Sequence, residues 1–199
     1  MSSKKEKKEK EKLNWKQSVF VYLHDLIYML MGILLVFLIF FRIVVVSGSS
    51  MYSTLWDGDY VLLLNNLFYR EPEAGDIVVI SKDSFDNGNP IVKRVIATEG
   101  QTVDIDFMNG IVYVDDIALN EDYINSPTTM EEGMKFPLVI EENCIFVLGD
   151  NRGVSRDSRD PAIGLIDKRE VLGKAVYLMI PGTNEGREPQ DRSRIGVIE

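Results

Sequence analysis

The stretch VVVSGSSMYSTL, residues 44–55, crowds Ser47, Ser49, Ser50 and Ser53 around Gly48 and Met51. Serine and glycine dominate loops, so a plain polar loop is one reading. A reactive serine is the other. A serine hydroxyl is a weak nucleophile until a neighbouring base takes its proton. The chain holds one histidine, His24, beside a long apolar run, and one cysteine, Cys144, in the apolar stretch CIFVL that suits a small inert thiol. These two counts exclude a Ser-His-Asp triad, a Cys-His pair, an intramolecular disulfide and a histidine-built or cysteine-rich zinc site. If Ser50 reacts, its base is a lysine or a carboxylate.

Past residue 46 the lysines are Lys82, Lys93, Lys135, Lys168 and Lys174. Lys82, Lys135 and Lys168 stand in polar, loop-like surroundings. Lys93 stands in IVKRVI. On a strand it shares a face with Ile91 and Val95, while Arg94 points the other way with Val92 and Ile96. Apolar surroundings favour a neutral amine and lower its pKa toward the working range of a general base. The plain alternative is a lysine snorkelling at a strand edge. A third stretch, VLGDNRGVSRDSRDPAIG, residues 147–164, gathers Asp150, Asn151, Arg152, Ser155, Asp157, Ser158, Arg159 and Asp160. A solvated loop or a calcium loop would also use such acids, but the interleaved arginines and the missing D-x-[DN]-x-[DN]-G pattern count against calcium. Alternating acids and arginines suit a rigid hydrogen-bonded network able to hold a serine or a lysine in place.

The elements that must position these groups follow from charge and hydropathy. Residues 1–18 carry seven lysines and three glutamates, a balance of +4, and in residues 19–46 Asp25 cancels Arg42. The net charge is −9, which leaves −13 on residues 47–199. An acidic domain with no basic stripe argues against a nucleic-acid partner. The run LIYMLMGILLVFLIFF, residues 26–41, is uncharged and apolar all round; with VFVYL before it, it is long enough to cross a bilayer. Lysines before it and an acidic domain after it place the arm in the cytoplasm and the domain outside. The apolar core exceeds the usual length of a cleaved secretory signal, so a retained signal-anchor is expected.

Beyond the anchor the texture is of short strands and turns. GDYVLLL, GDIVVI, PIVKRVIATEG, CIFVLGD and VLGKAVYLMI read as strands, and TVDIDFMNGIVYVDD reads as a hairpin with Asn109-Gly110 as its two-residue turn. The expected fold is mainly β: an N-terminal transmembrane helix, then an antiparallel sheet or barrel-like domain. The expected divisions are a basic cytoplasmic arm (1–18), a signal-anchor (19–46), an extracytoplasmic β catalytic domain (47–181) and a mobile polar tail (182–199).

Together, three stretches resemble the bacterial type I signal peptidases, membrane-bound Ser/Lys endopeptidases. The family's G-x-S-M-x-P-T-L meets GSSMYSTL here, its K-R-V meets VKRVI, and its G-D-N-R-x-x-S-x-D-S-R and G-K-A meet GDNRGVSRDSR and LGKAV. The short interval from Ser50 to Lys93 resembles the compact Gram-positive, single-anchor members. The resemblance covers residues 19 to about 181. It implies a signal-peptidase-type fold, with Ser50 as nucleophile, Lys93 as general base and Ser155 as the hydroxyl that positions the amine. It implies a structural pair in Asp157 and Arg159, Arg94 as a partner for Asp157, and Asp150 and Asn151 as shapers of the loop.

The Ser50 N–H becomes one oxyanion donor. Gly48 stands where some relatives have a serine that adds a second. Met51 and Leu55 are expected to touch lipid or substrate. The family's proline is Ser53 here, which loosens the expected turn because proline fixes φ. The implied partners are secretory preproteins, cleaved after small residues in Ala-x-Ala-like sites, and the lipid bilayer; neither metal nor cofactor is implied. A degenerate, partner-binding β domain is the alternative, favoured by Ser53 alone.

Overall fold

The computed structural model describes residues 2–183 and 190–198. It divides into two units, Met1–Phe40 and Phe41–Glu199. The first is one helix, α1 (Ser2–Phe40). Its Gln17–Phe40 part runs 24 residues at a mean hydropathy of 2.3. At the helical rise that is about 36 Å, enough for a hydrocarbon core of about 30 Å. The helix stops at Phe40, short of residue 46, and the chain continues as β1 (Phe41–Val45). The β-branched run Ile43, Val44 and Val45 suits a pleated strand better than a helix.

The second unit is antiparallel β. Its further strands are β2 (Tyr60–Asn65), β3 (Ile77–Ile80), β4 (Ile91–Thr98), β5 (Thr102–Asp106), β6 (Ile111–Val114), β7 (Ile117–Ala118), β8 (Leu138–Val139), β9 (Cys144–Leu148), β10 (Ile166–Asp167), β11 (Val171–Ile180) and β12 (Gly196–Val197). One sheet runs β1-β2-β11-β3-β4-β9-β10, with β12 added on β11, and a smaller one runs β7-β6-β5-β8. The five strands expected from their apolar runs are β2, β3, β4, β9 and β11. The hairpin β5–β6 is present, but its loop is Phe107–Gly110, four residues rather than two. Asp106 explains the difference: its carboxylate accepts from the Met108 and Asn109 N–H groups, and its carbonyl accepts from Gly110. The local cap outcompetes the tight Asn-Gly turn.

Three apolar clusters fix the layers. Ile96, Ala97, Phe146 and Leu148 of the large sheet pack against Val103, Ile105, Val112 and Val114 of the small one. Val78, Ile80, Val95, Ile145, Val147 and Val171 form a second cluster, with Ile91 at its edge. Val46, Met51, Leu55, Val61, Ile77, Ala175 and Leu178 form the third, beneath the Ser50 loop. Within the stretch expected as a mobile polar tail, residues 190–198 carry β12. Gly196 and Val197 pair with Leu178 and Tyr177, and Ile198 joins the third cluster. Residues 184–189 of the expected tail lie outside the described residues.

Candidate active site

Ser50 sits in the turn that follows β1. Asn151 ties that turn to the β9 end of the sheet: its N–H donates to Ser50 O at 3.0 Å, and its Nδ2 donates to Ser49 O at 3.0 Å. Gly48, at φ +83°, donates its N–H to Asp57 Oδ1 at 2.8 Å. The Gly48 N–H is therefore already engaged. Met51 and Leu55 are 1 % exposed and anchor the turn in the core, which corrects the expectation that they meet lipid or substrate.

Lys93 rises from β4, paired with Val78 of β3. Its side chain is 3 % exposed, and Nζ donates to Ser50 Oγ at 3.0 Å and to Val92 O at 3.1 Å. Burial pushes the amine down to about 8, while the charges of Asp157, Glu132 and Asp150 act in the opposite direction. The snorkelling alternative is excluded, because a snorkelling lysine keeps its head in water.

Arg94, next along the strand, donates Nε to Asp150 Oδ1 at 2.9 Å and Nη2 to Asp150 Oδ2 at 2.8 Å. It also donates to Gly75 O and stacks 4.0 Å from the Tyr123 ring. Its expected partner, Asp157, belongs instead to Arg159, which donates to both Asp157 carboxylate oxygens at 2.8 and 2.9 Å. The topology is responsible. β4 and β9 pair with Arg94 opposite Leu148, two positions before Asp150. Arg159 reaches Asp157 from two residues away along its own loop. Ser155 is buried, but its Oγ has no hydrogen-bond partner among the described residues. The expected Ser155–Lys93 hydrogen bond is therefore absent from this arrangement, with Lys93 held by Ser50 and the Val92 carbonyl.

Thr54, Gly149, Glu121, Thr128 and Glu132 join the frame although the sequence did not single them out. Thr54 Oγ1 donates to Asp150 Oδ2 at 2.5 Å, so one carboxylate joins the Ser50 turn to the residue after Lys93. Gly149 lies where a Cβ would come 2.1 Å from Ser155 Oγ and 2.5 Å from Ser50 O. Only glycine lets these backbones approach so closely. Arg152, wholly buried, donates to Gly149 O, Thr128 Oγ1 and both Glu121 carboxylate oxygens. Glu132 lies 3.4 Å from Arg159, and burial pushes its carboxyl up. Thr54 and Gly149 stand inside the quoted motifs. Glu121, Thr128 and Glu132 had no local signal, because they come from a connection distant in sequence.

A cavity of about 480 Å³ opens beside the Ser50–Lys93 contact, lined by Val44, Val45, Ser47, Val79, Ile91 and Val92 among others. Such a site can hold a short apolar peptide segment against a serine hydroxyl with an adjacent amine.

The model of the family described as "Signal peptidase, peptidase S26" matches residues 19–180. A probable signal peptidase I-1 from Synechocystis sp. is 33% identical over 150 residues, 71% of this chain and 72% of that protein. A signal peptidase I from Bacillus licheniformis is 32% identical over 181 residues, 87% of this chain and 95% of that protein. A solved signal peptidase I structure from Enterococcus faecalis aligns at 30% identity and a TM-score of 0.44, over 52% of this chain and 96% of that one. The chain belongs to the signal peptidase I family of serine peptidases, peptidase family S26. Membership carries the family's activity, removal of signal peptides from preproteins.

Proposed function

We propose that Ser50 is the nucleophile and Lys93 the general base of this peptidase. The observation that carries the reading is the 3.0 Å contact between Lys93 Nζ and Ser50 Oγ inside a site that strips water from the amine. With the amine neutral, the hydroxyl donates to its lone pair. Oγ then attacks the scissile carbonyl, and Lys93 takes the proton and passes it to the departing amine of the mature protein. Water, activated by the same amine, releases the signal peptide from the acyl-enzyme. The Ser50 N–H, which donates to no described residue, is the oxyanion donor this chain offers from its own nucleophile. The aliphatic lining of the cavity suits small side chains near the scissile bond.

In this reading α1 anchors the chain with its lysine-rich end in the cytoplasm and the β domain outside, where translocated preproteins emerge. Asp150, Asn151, Asp157, Arg159 and Arg94 are the frame, and Ser155 fills the space behind the turn. Detergent-solubilised protein is expected to cleave a preprotein with an Ala-x-Ala site, and both Ser50→Ala and Lys93→Ala to abolish cleavage while remaining folded. Cleavage that survives Lys93→Ala would sink the base assignment.

A further inference from the structure

The Ser50 turn is gripped from a part of the chain that its motifs do not include. Arg194, on the segment bearing β12, donates Nη1 to Asp59 Oδ1 at 3.0 Å and Nη2 to Asp59 Oδ2 at 2.7 Å. Its Nη2 also donates to Thr54 O at 3.2 Å, and its guanidinium lies 4.1 Å from the centre of the Trp56 ring. Trp56 in turn donates Nε1 to Ser53 O at 3.2 Å. Asp59 is fully buried and also accepts from the Trp56 and Gly182 N–H groups. The arginine is therefore the cation for a buried carboxylate, a stacking partner for the aromatic ring and a donor to the turn itself. These are the roles for which a planar five-donor fork is suited.

The held carbonyls belong to Ser53 and Thr54, the position where the resembled motif has proline and the one after it. A proline would limit the turn by its fixed φ. Here Ser53 supplies no such limit, and its N–H donates to no described residue. We infer that the C-terminal segment 190–198 is a clasp, with Arg194 as a positioning residue that holds the Ser53–Thr54 backbone and so keeps Ser50 aimed at its target. Arg194 touches neither Ser50 nor Lys93 and acts only through the turn. The inference rests on the proposed role of Ser50.

The test uses the full chain in detergent. Wild type, Ser50→Ala, Arg194→Ala and Arg194→Ala with Ser53→Pro are compared below the unfolding midpoint of each. Because Arg194→Ala strands the Asp59 carboxylate, Asp59→Asn with Arg194→Ala is measured as well. The readouts are the saturating rate of acylation by a serine-directed acylating inhibitor, and kcat and KM on a preprotein. Loss of the clasp is expected to lower acylation and kcat about tenfold with KM changed less than about twofold, the scale of a misplaced reacting group. Ser53→Pro is expected to restore most of that loss, which support of the fold alone would not predict. Folded variants with unchanged acylation, or a loss that Ser53→Pro leaves in place, would overturn the clasp alone. Wild type that is not acylated, or acylation that persists in Ser50→Ala, would overturn the Ser50 reading and the clasp with it.

Discussion

At the scale of the residue, Lys93 is held in a place that disfavours its own charge. Burial sets its amine at about 8, against an ordinary value of 10.5. Cleavage rate should therefore rise with pH through about 8 and level off above it, as the neutral base becomes the main form; a pH–kcat series on a preprotein checks this. The same shift affects stability in the opposite sense from a salt-bridged lysine. The unfolded chain binds more protons between about 8 and 10.5, so the cost of burying the charged lysine is fully present below pH 8 and fades as pH rises to about 10.5. Lys93→Met should abolish cleavage yet raise stability at pH 7, by roughly 1–3 kcal/mol, with the gain shrinking above pH 8. Thermal or urea unfolding across that range is the check, and a destabilised Lys93→Met at pH 7 would contradict it.

At the scale of the element, the site is a meeting of the turn after β1 with the neighbours β4 and β9. β4 delivers Lys93 and Arg94 side by side, and the exit of β9 delivers Asp150 and Asn151. Asp150 accepts from Arg94 and from Thr54, so the turn and the strand cannot slide independently without stranding a buried carboxylate. Gly149 sets how closely the two can approach. Gly149→Ala should cost the about 1–3 kcal/mol of an overpacked core, read as a lower unfolding midpoint, and reduce kcat at least about tenfold, because the methyl presses on Ser50 O and Ser155 Oγ together. Unchanged kcat in that variant would mean the turn yields without consequence. Strands were readable because apolar runs bounded by Gly-Asp turns are strong local signals. The helix end at Phe40 and the four-residue loop of β5–β6 were not. Both are decided by competition between local preferences, β-branched residues against apolar length in the first case and an aspartate cap against a turn dipeptide in the second.

At the scale of the whole molecule, the charge division between arm and domain governs orientation in the proposed function. Replacing the seven lysines of residues 1–18 with glutamine should reduce the fraction of molecules with the domain outside. Protease added to intact cells, with tags at both ends, reads this directly; an unchanged orientation would place the signal elsewhere in the chain.

The sequence by itself determined the class of chemistry, because inventory is independent of folding. With one histidine beside the apolar run, a reactive serine in the β domain needed a lysine or a carboxylate. It also determined the N-terminal apolar helix and most of the strands, since hydropathy and turn chemistry act over a few neighbouring residues. Only the tertiary structure decided the pairings. Arg94 with Asp150, Arg152 with Glu121, and Arg194 with Asp59 join residues distant in sequence by register and packing. A sequence offering several acids to several arginines contains no local rule for the choice. Sheet order supplies that rule, because it fixes which strand ends meet before any side chain selects its partner.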